Sequence, residues 1–260
     1  MIIDFHTHAF PDRLAAKAIP SLEEGANIQA HTEGTVDSLL ASMDRAGIER
    51  SIICSIATHP DQFKDILDWS QEIRSERLIP LPSIHPDDPI AVERVYSVCG
   101  KGFKGIKMHP YYQDFALHEE RLNPFYEALS ETELLLVTHC GYDIGFPRSR
   151  CADPAKILML HKRFPRLRLI ATHFGGWELW DEVEEALIGK EIYLEISFAL
   201  QYLSREQALR MLTNHPPEYL LFGSDSPWAD QEEYLDRLKS MALDDELLSK
   251  ISGENALLLL

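Results

Sequence analysis

The chain has 260 residues, 45% hydrophobic and 26% charged, a composition with enough apolar side chains for a full globular core. Its formal charge of −17 repels phosphate backbones and argues against a nucleic-acid partner. No basic-apolar-small leader pattern opens the chain and no apolar run approaches the ~18 residues of a membrane span, so a cytoplasmic protein without a membrane partner is expected.

The chain opens on a short apolar strand, Ile2–His6, and the first periodic helix is predicted at Val36–Ala46. A strand over Ser51–Ala57 leads to a helix over Phe63–Arg74, and one over Leu78–Ile84 to a helix over Ile90–Cys99. Phe103–Met108 and Arg121–Glu131 form the next strand and helix, then Leu134–Thr138 and Pro154–Arg163. Leu167–Thr172 is paired with Leu179–Ile188, Ile192–Ser197 with Arg205–Thr213, and Tyr219–Gly223 with Tyr234–Met241. These are eight strand–helix units of about 32 residues, the size of a βαβ repeat. The strands are continuous apolar runs rather than alternating ones, as in a parallel sheet covered by helices on both faces. A doubly wound sheet would alternate in the same way. It gives no reason, however, for polar clusters at the C-terminal end of nearly every strand, whereas a (β/α)8 TIM barrel builds its site from all eight such ends. The expected fold is therefore an α/β TIM barrel, a single domain over residues 1–260.

The strand ends carry the chemistry. In order they read Asp4-Phe5-His6-Thr7-His8, Thr58-His59-Pro60, Ile84-His85-Pro86, Lys107-Met108-His109-Pro110, Thr138-His139-Cys140, Thr172-His173-Phe174, Glu195-Ile196-Ser197 and Ser224-Asp225-Ser226. Seven of the 11 histidines fall on the first six ends, and Asp225 closes the eighth. A lone histidine at such a position is usually a hydrogen-bonded loop residue. A ring of them converging on one barrel mouth, facing a carboxylate, reads as metal ligation. His6 and His8, two apart in a strand, would project side by side. The cysteines Cys54, Cys99, Cys140 and Cys151 have no C-x-x-C spacing and read as buried or incidental thiols.

The set resembles the amidohydrolase superfamily of metal-dependent barrel hydrolases. Ile3-Asp4-Phe5-His6-Thr7-His8-Ala9-Phe10-Pro11 and Gly102-Phe103-Lys104-Gly105-Ile106-Lys107-Met108-His109-Pro110 are similar to its amidohydrolase-2 branch. Gly223-Ser224-Asp225-Ser226-Pro227 and Gly253-Glu254-Asn255-Ala256-Leu257 carry the same likeness. That branch includes predicted hydrolases and the aminocarboxymuconate-semialdehyde and γ-resorcylate decarboxylases. The resemblance implies that His6, His8, His139 and Asp225 are metal ligands and that Asp225 and His173 are catalytic. His173 would hold the reacting water in a mononuclear site and become a ligand in a binuclear one. Lys107 stands where binuclear members carry a carboxylated lysine. It could be carboxylated, could grip a substrate carboxylate as an ammonium, or could be a rim lysine with its head in water.

Zn2+ suits imidazole nitrogen and carboxylate oxygen, one ion or two, with Mn2+ or another divalent ion as the alternative. Lys107, His109, Tyr111, Arg148 and Trp177 are the candidate substrate contacts, the arginine suggesting an acidic small molecule. The competing reading is that Arg148 pairs with a surface carboxylate and that the tryptophans pack against the barrel. His31, His118, His161 and His215 are expected to be solvated, and Asp4 to anchor the first strand. The leading function is hydrolysis of a C–N or C–O bond in a small molecule through a metal-activated water. The alternative is non-oxidative decarboxylation of an aromatic or unsaturated acid, and the third reading is an inactive metal-binding barrel. Lys107 leans towards the hydrolase. A homo-oligomer is left open.

Overall fold

The computed structural model describes residues 1–260. The eight strands are β1 (Ile3–Thr7), β2 (Arg50–Cys54), β3 (Leu78–Leu81), β4 (Gly105–Met108), β5 (Leu135–Thr138), β6 (Arg168–Ala171), β7 (Tyr193–Glu195) and β8 (Leu220–Leu221). All neighbouring strands run parallel, in the orders β1-β2-β3 and β4-β5-β6-β7-β8. Two parallel bridges, Ser83 to Lys107 and Thr7 to Ser226, join the two sheets at both seams. The sheet therefore closes into a (β/α)8 barrel, and the doubly wound alternative is excluded.

Inside the barrel Ile3, Phe5, Ile52, Leu135, Val137 and Leu221 form an apolar plug with Ala256 and Leu259 from the last helix. The outward side chains Ile53, Ile106, Leu136, Leu169, Leu194 and Phe222 belong to a larger cluster shared with the helices. Both faces of each strand are thus buried, which is why the runs are apolar without alternation.

The helices end where local chemistry ends them. In α2 (Val36–Ala46) Thr35 Oγ1 accepts from Ser38 N at 3.2 Å, Ser38 Oγ accepts from Thr35 N at 3.0 Å, and Gly47 takes the left-handed cap at φ 68°. Ser204 caps the helix Arg205–Asn214 by accepting from Gln207 N, and Asp230 caps the helix Gln231–Lys239 by accepting from Glu232 N and Glu233 N. Each predicted strand lies within a few residues of an observed one. The predictions run too long mainly at the C-terminal ends, because the chain leaves the ladder there to form the mouth.

Two regions differ from expectation. A helix, α1 (Asp12–Ala26), precedes α2 where none was predicted. Pro20 in its middle reads as a breaker, yet the apolar stripe Leu14, Ala15, Ala18, Ile19, Leu22 has helical spacing. The tail is also helical over Asp245–Ser249 and Asn255–Leu259, with Asn255 Nδ2 donating to Pro217 O at 2.7 Å and Leu220 O at 2.8 Å. No helix is long and apolar enough to cross a membrane.

His215, expected in solvent, is instead buried, and its Nε2–H donates to Ile192 O at 2.9 Å. Burial pushes its pKa down to about 4, against 6.5 for an ordinary histidine. Its contribution to stability is complete above pH 6.5 and is lost as pH falls towards 4, because the unfolded chain then binds a proton that the fold refuses. We expect His215→Gln to reduce the stability lost between pH 7.5 and pH 5 by about 2 kcal/mol, measured by urea unfolding at the two pH values. Identical losses in the two proteins would overturn this assignment.

Candidate functional site

The mouth is built on an irregularity in β1. Between Asp4 and Thr7 this strand advances three residues while β2 advances two, from Ser51 to Ile53. The extra residue is a bulge. It lets Phe5 remain in the interior plug while His6 reaches the mouth beside His8, the two rings 5.1 Å apart. Backbone bonds from Asp225 N to His6 O at 2.8 Å and from His8 N to Ser226 O at 2.6 Å then fix the segment after β8 against β1. Asp225 itself holds a positive φ of 71°, a strained conformation that turns its carboxylate inward.

The result is a trio of donors. His8 Nε2 lies 3.1 Å and His6 Nε2 3.4 Å from Asp225 Oδ1, an oxygen that is buried and has no hydrogen-bond donor. The other nitrogen of each ring is already committed. His8 Nδ1–H donates to Cys54 O at 2.8 Å, and His6 Nδ1–H to Glu195 Oε2 at 2.9 Å. These partners assign the tautomers and leave both Nε2 atoms unprotonated beside Asp225, that of His6 also taking a bond from Lys107 Nζ at 3.0 Å.

The charges around this trio do not balance. Asp4, Glu195 and Asp225 are all buried, and Lys107, with no exposed surface, is the sole buried lysine or arginine. Burial raises the Asp4 carboxyl to about 6 despite hydrogen bonds from Gln231, Ser224 and His6 N. Glu195 is held well above the usual carboxyl range, again by burial first, with Asp225 and Asp4 adding to it. Carboxyls pushed upward in this way lack a compensating cation. Burial also pushes His6 and His173 well below the ordinary histidine range, with Lys107 adding to the shift of His6 and His139 to that of His173. Neutral imidazoles and excess buried carboxyls fit a divalent cation held by His6, His8 and Asp225.

His139 is not gathered into this trio. Its Nε2–H donates to Tyr142 O at 2.9 Å, and its Nδ1 accepts from His173 Nε2–H at 2.9 Å. Its ring stacks on His109 with centroids 4.2 Å apart, and His109 Nε2 lies 3.3 Å from Asp143 Oδ2. Burial lowers His109 to about 3, with His139 contributing. Burial alone would raise Asp143, but the His109 hydrogen bond and the neighbouring imidazoles hold it below the carboxylate range. His109, His139 and Asp143 thus form a second donor group beside the first. Ser197 Oγ, 2.8 Å from Glu195 Oε2, 3.0 Å from His6 Nδ1 and 3.2 Å from His173 Nδ1, links the two.

Lys107 is wholly buried, with Nζ donating to His6 Nε2 at 3.0 Å, so it is not a rim lysine with its head in water. Two other expectations need correction. Arg148 is exposed, pairs with Glu178 and lies over the Tyr142 ring, drawn outward by that carboxylate and the aromatic face. Tyr111 spends its hydroxyl on Ser149 O at 2.7 Å and Gly141 O at 3.2 Å and lines a separate shallow pocket. Trp177 does line the main cavity, as do His109 and His173. His59 and His85 stand outside it: His59 caps a turn, and His85 Nδ1 accepts from Asp87 N at 3.1 Å.

Sequence reading assigned no role to Glu195. A carboxylate inside a buried strand was a signal, and so was Gly223 opposite it, where a Cβ would collide with Glu195 Oε1.

A family profile described as Amidohydrolase matches residues 3–260. The chain belongs to the amidohydrolase family. Among solved structures, an uncharacterized TIM-barrel protein from Bordetella bronchiseptica superposes with a TM-score of 0.78 at 17% identity, covering 99% of this chain and 97% of that one. A 2,6-dihydroxybenzoate decarboxylase bound to 2,6-dihydroxybenzoate gives 0.75 at 16% identity over 99% and 98%. The 5-carboxyvanillate decarboxylase of Novosphingobium aromaticivorans, complexed with manganese and 4-hydroxy-3-methoxy-5-nitrobenzoic acid, gives 0.70 at 13% over 98% and 94%. At these identities the likeness is one of fold. A search of curated proteins returned no match.

If Glu195 orients His6, Glu195→Gln should weaken divalent-metal affinity about 10–100-fold, measured by chelator competition. The same variant should be no less stable in chelator, since it removes a buried carboxyl. Unchanged affinity would eliminate this role.

Proposed function

We propose that the protein is a metal-dependent hydrolase that cleaves a C–N or C–O bond of a small molecule. The observation that carries this reading is Asp225 Oδ1, buried without a hydrogen donor between two imidazole Nε2 atoms. His6, His8 and Asp225 would hold the ion. Zn2+ accepts this mixture of nitrogen and oxygen donors, and Mn2+ is the alternative. When bound, the ion supplies Lewis acidity, worth several kcal/mol of charge stabilisation.

The remaining chemistry belongs to the chain. The second oxygen of Asp225 can take a proton from water and pass it to the leaving group. His173, neutral at physiological pH, can orient that water or, once its Nε2–H is released from His139, donate it to the attacked carbonyl, a contribution of about 10²–10⁴ in rate for a positioned acid–base group. His139 fixes the direction of the His173 ring through the 2.9 Å bond. Of the roles considered for Lys107, carboxylation and a grip on a substrate carboxylate both agree with its burial at the base of the cavity.

The second reading, decarboxylation of an aromatic acid, is supported by the activities named for the similarly folded neighbours and by Tyr112, Trp177 and Phe198 in the cavity wall. It requires a protonated side chain to deliver a proton to carbon. Lys107 at the end of β4, a residue type that leans towards a hydrolase at this position, places hydrolysis first.

Elemental analysis of natively purified protein should find at least one divalent ion per chain; none would sink the metal reading. A count near two that falls to one in Lys107→Met supports a carboxylated lysine, and a count of one in both supports the substrate grip. In a screen of esters, amides and lactones alongside aromatic acids, we expect hydrolysis without CO2 release. Asp225→Asn should lower kcat/KM by about 10³. CO2 release from an aromatic acid would favour the second reading.

A further inference from the structure

Above the histidines and Lys107 the cavity changes character. Its volume is about 600 Å3, within the range of sites that enclose whole drug-sized molecules, and more than the reacting atoms alone require. Its walls come largely from apolar side chains. One wall is the unpredicted helix α1, which presents Leu14, Ala18 and Leu22, with Phe10 before it and Ile28 after it. The lining also takes Ile66 and Trp69 of α3 (Phe63–Ile73) and Trp228 after β8. Leu14 retains 50% of its surface exposed although it faces a binding cavity, an apolar surface that a ligand can cover. The charged lining is just as selective. It contains no arginine, Lys107 is its one lysine, and Asp65, Asp143 and Asp225 supply the opposite sign.

We infer that this cavity is a specificity pocket for molecules with one polar or monoanionic reacting end and an extended apolar body, with α1 as the specificity-determining wall. The reacting end goes down to His6, His8 and Lys107, and the body lies along Leu14, Ala18 and Leu22. A dicarboxylate is disfavoured because its second charge would leave water for an apolar wall with no cation to receive it. This inference rests on the proposed active site for its direction but not for its test.

Three of the four tryptophans, Trp69, Trp177 and Trp228, line the cavity, so their fluorescence reports binding without turnover. The probes are straight-chain monocarboxylates from propanoate to decanoate, and the matching α,ω-dicarboxylates, titrated into the metal-loaded protein. We expect Kd to fall up to about fourfold per added methylene until the cavity is filled. Dicarboxylates should bind at least about tenfold more weakly than monocarboxylates of equal length. Leu14→Asn and, separately, Leu22→Asn should flatten the dependence for the longer probes and cost decanoate at least about tenfold more affinity than propanoate. Because Leu14 is half exposed, its replacement should fold normally, which circular dichroism checks. A flat length dependence in the unaltered protein, dicarboxylates that bind equally well, or an unchanged slope in both variants would each overturn the inference. Length-dependent binding without hydrolysis of any ester or amide would instead count against the hydrolase and leave the pocket standing.

Discussion

The site depends on one seam. β1 pairs with β2 on one side, and on the other its backbone meets the segment after β8, with Asp225 N donating to His6 O at 2.8 Å. That bond joins residues more than two hundred positions apart and exists only once the barrel has closed. Without it, His6 and His8 would be two histidines on an edge strand, and Asp225 a carboxylate in a turn. The bulge in β1 and the positive φ of Asp225 are local distortions placed at this seam, where strain positions side chains.

Charge is the second constraint. The interior accepts Asp4, Glu195, Asp225 and Lys107, groups that are costly to desolvate. Asp4 is supported by four hydrogen bonds that also tie β1 to Ser224 and Gln231. Glu195 is supported by His6 and Ser197, and Gly223 leaves the space for it. These contacts orient the groups without neutralising them. The same burial that lifts the carboxyls suppresses protonation of the imidazoles. Both effects act in one direction, towards a site that takes up a cation.

Much of this was legible along the chain, and the exceptions have physical causes. The barrel strands were visible because burial on both faces demands unbroken apolar runs such as Leu134–Thr138. No helix was expected at α1, where Pro20 sets a breaker signal against the helical stripe from Leu14 to Leu22. Arg148 follows the competing reading, pairing with a surface carboxylate rather than a substrate, but no local signal shows that this carboxylate is Glu178 thirty residues later. His215 looked solvated because its burial comes from Ile192 and the barrel, not from its neighbours in sequence.

By itself the sequence determined the periodicity, the number of strand–helix units and the residue types at each strand end, since these follow from side-chain chemistry at fixed spacing. It also brought His6 and His8 together, because residues two apart in an extended segment project to one side. Only the tertiary structure decided which strand ends meet. His139 turned to His109 and Asp143, Glu195 came under His6, and His59 and His85 were left outside, because closure and tilt of the barrel set distances that no local pattern encodes.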